Sequence, residues 1–275
     1  MKDLSNENII HINKDGIQYI QFRKLLEYEN LKHAFSLGID KDYRTSNQGK
    51  SRDKAIKDYE NLCEMVGCNY INIVKPNQKH TKNVREVTRK INKNFCDINF
   101  EQYNETDGVI TNSKDIVLAT TSADCILLLF YDPVKKVIGN THSGWRGTLQ
   151  QISIKTVQQM IEKYQCNPKD IICCICPSIR KCHFEVREDV ENLFYNKFKN
   201  LENIDEIITK IPNTDKWYID TVKINIEILQ QIGLKKENII DSGICTVCNS
   251  ELMHSYRVEK EKFGLNTAII ELKEG

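Results

Sequence analysis

The stretch Asp107–Gly147, DGVITNSKDIVLATTSADCILLLFYDPVKKVIGNTHSGWRG, holds two apolar runs, Ile126–Phe130 and Val137–Thr141, on either side of a Tyr131-Asp132-Pro133 turn. Short runs that are apolar at successive positions read as strands covered on both faces. A turn between two of them predicts an antiparallel pair. That pairing sets Cys125, at the start of one strand, near His142, at the end of the next. Both then sit where a strand meets a loop, a rigid place from which to present a functional side chain.

Working outward, further short strands are expected at Ile17–Phe22, His33–Phe35, Tyr70–Val74, Ile116–Thr120, Ile171–Cys176 and Thr267–Leu272. Helical spacing of apolar residues runs through Ala55, Ile56, Tyr59, Leu62, Cys63 and Val66. It recurs from Leu149 to Tyr164 and from Val190 to Phe198. A fourth helix is expected after Asp220, as its cap, with a stop at Gly233. Asp40–Asp53, with Arg44, Ser46, Asn47 and Gly49, reads as a long surface loop. This mixture predicts an α+β fold in which sheets are layered with helices. With no repeat and no Pro/Gly/Ser linker, residues 1–275 are read as a single domain.

The 275 residues carry 39 Lys+Arg against 38 Asp+Glu, a net charge of +1, which disfavours a nucleic-acid binder. Hydrophobic residues make up 40% of the chain, enough for a substantial core, yet no run approaches the ~18 apolar residues of a membrane span. The opening MKDLSNENII lacks the apolar core of a secretory signal, so a cytoplasmic protein is expected. In that setting the 11 cysteines are read mostly as thiols, and most as small buried apolar residues.

Cys125 and His142 admit three readings. Thiolate and imidazole are zinc ligands, and a catalytic zinc keeps three protein ligands and an open position. His142 could instead activate Cys125 as a nucleophile. A buried thiol beside a hydrogen-bonded histidine would leave the same spacing. The neighbours favour chemistry: Asp124 adjoins Cys125, and Ser143-Gly144-Trp145-Arg146-Gly147 follows His142. The glycines permit a tight turn with free N–H groups, and Arg146 can fork onto phosphate or carboxylate oxygens. A helix starting near Thr148 would add a positive end. A turn with Arg146 in a surface ion pair is the bland alternative.

The strings SADC and HSGWRG, with DGVIT upstream and CPSIRKCHFEV downstream, resemble the laccase-domain family, also called multicopper polyphenol oxidase-like or peptidoglycan-editing-factor-like proteins. The resemblance runs from KHAFS at Lys32 to the final strand. It implies an α/β/β/α arrangement similar to the cysteine-hydrolase-like fold of toxin deamidases. It also implies a zinc-dependent purine nucleoside phosphorylase with adenosine deaminase activity, acting as a monomer or homodimer on small nucleosides and phosphate, without nucleic-acid or membrane partners. The implied metal set is His80, Cys125 and His142, with Zn2+ the expected ion and copper a less favoured alternative in vitro. Arg146, Ser143 and Gly144 are the implied phosphate and substrate binders, and Asp124, Cys125, His142 and Arg146 the implied catalytic set. Trp145 is expected as a core or rim aromatic rather than a base-stacking one.

The chain departs from the family pattern in three places. Leu37 stands where an FSTR-type motif has arginine, Leu265 where arginine follows the glycine, and Cys176 where GPSI has its glycine. Arg44 and Arg23 are candidate substitutes for the first. Rival functions are a metal-independent Cys–His amidohydrolase in peptidoglycan precursor editing, or a non-enzymatic nucleoside-binding protein. Multicopper oxidation needs many histidine ligands, and the chain has 6 in all. Cys173, Cys174 and Cys176 alternate along one expected strand, which makes joint coordination awkward. These cysteines with Cys182-His183 could suggest a structural zinc or a redox pair, but Cys245-x-x-Cys248 lacks an obvious second pair at finger spacing, so most of them are read as structural thiols and a second metal at Cys245 and Cys248 stays open.

Overall fold

A computed structural model describes residues 2–45, 50–88 and 103–274. Two six-stranded sheets form its centre. The first runs in spatial order Ile9–Lys14, Ile17–Phe22, Leu31–Ser36, Asn266–Leu272, Val117–Ser122 and Ile73–Val74. The second runs Ile239–Asp241, Ile172–Ile175, Ile126–Asp132, Val137–Ser143, Gly108–Thr111 and Val84–Glu86. A small sheet of Glu185–Arg187, Lys216–Ile219 and Ile208–Lys210 stands apart.

Strand alternation explains the layering. Leu127, Leu129 and Tyr131 enter one apolar cluster with Leu118, Ala268 and Ile270 from the first sheet, which is the core between the sheets. Their neighbours Ile126, Leu128 and Phe130 face the other way, onto Val157 and Met160 of the helix Ile152–Tyr164 and onto Val222 and Leu229 of the helix Thr221–Gln231. On the far side, Val117, Ala119 and Ile269 pack against Tyr59, Leu62 and Cys63 of the helix Lys50–Val66. Both faces of each sheet are covered, so the strands read as continuous apolar runs. The order helix, sheet, sheet, helix is the α+β layering expected.

One polar contact crosses this core. The Asn140 side-chain amide donates to the carbonyls of Leu118 at 3.0 Å and Ala268 at 2.8 Å, and its oxygen accepts from Thr120. A buried amide is tolerated there because all of its groups are paired.

The structure refines several sequence expectations. Lys50–Val66 begins its helix inside the expected Asp40–Asp53 loop, and residues 46–49 lie outside those described. Tyr70–Asn72 is a 3-10 turn and only Ile73–Val74 is strand, because Asn69 caps the turn through the Ile71 N–H. The helix after His142 starts at Trp145 rather than near Thr148, stops at Leu149 and resumes at Ile152, with Gln151 between at φ +57°. Asp220 does cap its helix, accepting from the Lys223 N–H at 2.8 Å. Among the described residues, no helix is long and apolar enough to cross a membrane.

Candidate functional site

Ile126–Asp132 and Val137–Ser143 pair antiparallel with Leu127 opposite His142 and Ile126 opposite Ser143, so Cys125 and His142 meet at one end of the hairpin. His80 arrives from the loop after Ile73–Val74, with φ +58°. The donor atoms of His80, Cys125 and His142 all lie within 4.8 Å of one another. Cys125 Sγ is 3.9 Å from His80 Nε2, and the two imidazole rings meet edge to face with centroids 4.8 Å apart.

Asp107 organises this cluster, a role that the sequence reading did not assign. It precedes the strand Gly108–Thr111 and is fully buried. One carboxylate oxygen binds His142 Nδ1 at 2.8 Å and accepts the His80 N–H at 3.0 Å. The other accepts the N–H groups of Lys79 and Thr81 and the Thr81 hydroxyl. Asp107 therefore fixes both the imidazole and the loop that carries the second imidazole. With Nδ1 engaged, His142 presents Nε2 toward the sulfur and the cavity. Desolvation opposes the Asp107 charge, but the bonds from His142 and Thr81 outweigh it and hold the carboxyl below its usual range.

Burial pushes the Cys125 thiol up, yet the His142 charge and the bonds from His142 and His80 win and hold it down at about 6. Burial likewise disfavours the His142 cation, while Cys125 and Asp107 together raise it to about 9. Cys125 and His142 thus each favour the charged form of the other. Gly144 closes the cluster from behind: a Cβ built there would lie 2.7 Å from His80 Cδ2 and 3.1 Å from Cys125 Sγ. That is too close for any side chain, so Gly144 acts by its absence of bulk. Two imidazole nitrogens and one thiolate, oriented by a buried carboxylate and open on one side, suit Zn2+ with a position left for water or substrate.

The cluster opens into a cavity of about 910 Å³. Its walls include Arg44, Lys75, Arg146, Arg187 and Arg257 among the cations, and Phe184, Val186, Tyr256, Phe263 and Leu265 among the apolar and aromatic residues. This mixture suits a ligand with an anionic part and a flat apolar part. Lys75 is the distinctive cation: burial, with Arg44 nearby, lowers it to about 8 despite Asp42.

The remaining expected site residues take varied places. Arg146 lies exposed at the cavity, with its guanidinium over the Trp145 ring at 4.0 Å from the centroid. That covers one face of Trp145, whose other contacts join the cluster around Phe194 and Ile219, so Trp145 is a rim aromatic. Ser143 lines the cavity, but its hydroxyl pairs with Thr148 at 3.0 Å. Asp124, at φ +85°, accepts from the Thr246 hydroxyl at 2.5 Å with one oxygen and from the Arg257 N–H at 2.7 Å with the other. Its carboxylate is thus committed to tying Thr246 to the cavity-wall residue Arg257. Of the two candidate substitutes for the arginine missing at Leu37, Arg44 lines the cavity and packs over Phe263 at 4.6 Å, donating to the Phe263 carbonyl at 2.6 Å. Arg23 instead donates to the Asn6 carbonyl.

Both the sequence and the fold have known relatives. The profile of the family described as multi-copper polyphenol oxidoreductase laccase matches residues 39–273. The purine nucleoside phosphorylase YlmD of Bacillus subtilis is 32% identical over 219 residues, which covers 80% of this chain and 77% of that protein. A purine nucleoside phosphorylase of Borreliella burgdorferi is 36% identical over 185 residues, covering 67% and 73% respectively. The crystal structure of YlmD from Geobacillus stearothermophilus shares the fold with a TM-score of 0.82 at 21% identity, over 97% of this chain and 100% of that one. A hypothetical protein YfiH of Bacillus licheniformis does so with a TM-score of 0.81 at 24% identity, over 93% and 96%. From the SADC and HSGWRG strings to the layered sheets that carry them, the chain belongs to the multi-copper polyphenol oxidoreductase laccase family.

Proposed function

We propose that this chain is a zinc-dependent purine nucleoside phosphorylase that also deaminates adenosine at the same site. The observation that carries the reading is the convergence of His80, Cys125 and His142 at the floor of a cavity walled by cations and aromatics. The relatives named purine nucleoside phosphorylase, at 32% and 36% identity, support it.

His80, Cys125 and His142 would hold the metal, with Asp107 orienting His142 through Nδ1. When bound, zinc supplies a Lewis acid for phosphate or base and an activator of water. Arg146 and Arg44, both facing the cavity, would bind phosphate oxygens by forked N–H donation. Cations placed this way would hold the attacking phosphate so that its own anionic oxygens face the sugar cation that develops as the glycosidic bond breaks. Phe263 and Tyr256, packed edge to face at 5.1 Å, would shelter the apolar faces of the nucleoside and keep water from the developing sugar cation. Asp124, with both oxygens committed, is a positioning residue in this scheme rather than a proton carrier. Ser143 and Gly144 shape the wall behind the ligands, Gly144 through the space it leaves.

Zinc-loaded protein is to be incubated with adenosine, inosine and methylthioadenosine, with and without phosphate, and the products separated. Free base that appears only with phosphate is the expected result, together with phosphate-independent ammonia from adenosine. Saturable nucleoside binding with no turnover would replace the enzyme by a binding protein. The pairing of Cys125 with a His142 held at Nδ1 by Asp107 favours one second reading, a Cys–His amidohydrolase. Turnover that survives complete chelation would select that reading.

A further inference from the structure

A second cluster lies on the surface outside the cavity lining. Cys182 and His183 occupy a turn after the strand Ile172–Ile175, while Cys245 precedes the 3-10 turn Val247–Asn249 and Cys248 lies within it. Their four donor atoms lie within 4.8 Å of one another. Cys182 Sγ stands 3.7 Å from Cys245 Sγ and 4.0 Å from Cys248 Sγ. His183 Nδ1 stands 3.1, 3.7 and 3.6 Å from the sulfurs of Cys182, Cys245 and Cys248. A tetrahedron of ligands at ~2.3 Å for sulfur and ~2.0 Å for nitrogen has edges of about 3.5–3.8 Å. The measured separations bracket those edges, and they are well beyond the ~2.0 Å of a disulfide.

We propose that Cys182, His183, Cys245 and Cys248 bind a second zinc ion, in a closed structural site. Three thiolates and one imidazole fill a tetrahedron, which leaves no position for substrate. Consecutive residues can serve as ligands here because Cys182 and His183 sit in a turn, not a strand. The Cys-x-x-Cys half is prearranged: the Asn249 side chain donates to the Cys245 carbonyl at 2.8 Å, and the Asn249 N–H to the Thr246 carbonyl at 3.2 Å. The partners that Cys245 and Cys248 lack at finger spacing come from a distant segment, as Cys182 and His183.

The ion would staple a segment that runs on into the cavity wall to one that holds the cavity residue Asp124 through Thr246. Ser178 already bridges to Cys245, and Arg180 donates to the Ile244 carbonyl and to Asp241. Phe184 and Glu185 follow one half directly, while Thr246, which holds Asp124, lies inside the other. Binding there would add loop-closing stability and release protons from the thiols.

The proposal stands apart from the catalytic reading, and one measurement separates them. The full chain, purified without chelator, is assayed for metal by native mass spectrometry and elemental analysis, beside Cys125→Ser and Cys182→Ser/Cys248→Ser variants. About two zinc ions per wild-type chain and about one in each variant are expected, one site being lost in each. Cobalt loaded into Cys125→Ser should give the thiolate charge-transfer absorption of a sulfur-rich tetrahedral centre, and the exposed Cys182 and Cys248 should resist alkylation until a chelator is added. A wild-type chain with one ion and a Cys125→Ser chain with none overturns the second site. So does a metal-free chain in which two of these cysteines form a disulfide. If Cys182→Ser/Cys248→Ser alone loses all metal, the second site stands and the zinc at His80, Cys125 and His142 falls.

Discussion

Asp107 shows how much one buried carboxylate can organise. It binds an imidazole, three backbone N–H groups and a hydroxyl, so the His80 loop and the His142 ring share one anchor. Asp107→Asn should weaken zinc affinity by about 10–100-fold, the usual cost of losing a partner behind a metal ligand. Competition against a chelator of known affinity measures this. His33 offers a different residue-scale prediction, on stability. It is fully buried, its Nε2 accepts the Phe22 N–H at 2.7 Å, and burial drives its pKa from 6.5 down to about 3. The folded pKa lies below the unfolded one, so this contribution is complete above about pH 6.5 and is lost as pH falls toward 3. In that window wild type should lose up to about 1.4 kcal/mol more per pH unit than His33→Gln, as read by urea titration. Neither residue announces its role in the sequence. Asp107 looks like a turn acid before a strand, and His33 like any polar residue in an alternating pattern, because each role depends on what long-range folding brings alongside.

At the scale of elements, the apolar runs were legible wherever burial was complete. Ile17–Phe22 and Ile126–Phe130 fall on or inside their strands because nothing but a sheet core accepts such runs at that length. The edge strands Val84–Glu86 and Ile239–Asp241, and the half-exposed Lys216–Ile219, are too short to declare a period. The helix Thr221–Gln231 was readable from its cap. Asp220→Ala, which removes the bond to the Lys223 N–H, should cost about 1 kcal/mol, a loss of a few degrees in melting temperature. The break between Trp145–Leu149 and Ile152–Tyr164 was not readable, since Gln151 at φ +57° is neither glycine nor asparagine. Cys125 and His142 were paired correctly from the hairpin alone, whereas the union of Cys182-His183 with Cys245-x-x-Cys248 needed tertiary structure.

At the scale of the molecule, the cavity is assembled from both sheets. His142 and Cys125 come from the second, while Thr121 and Ser122 belong to the first, and Arg44 and Leu265 flank its strands. Arg44 occupies the cavity even though the family's arginines are missing at Leu37 and Leu265. Arg44→Ala should therefore raise KM for phosphate about tenfold or more with a smaller change in kcat, as expected when a ground-state phosphate contact is lost. Initial rates at saturating nucleoside and varied phosphate check this.

The Asn140 amide gives that shared cavity a dynamic consequence. Prising the two layers apart would strip its partners Leu118, Ala268 and Thr120 in a place that water does not reach. Partial opening along this seam should therefore be rarer than fraying at either outer edge. Deuterium should enter the central strands on both sides only when the whole protein unravels, and Asn140→Leu should bring that exchange forward.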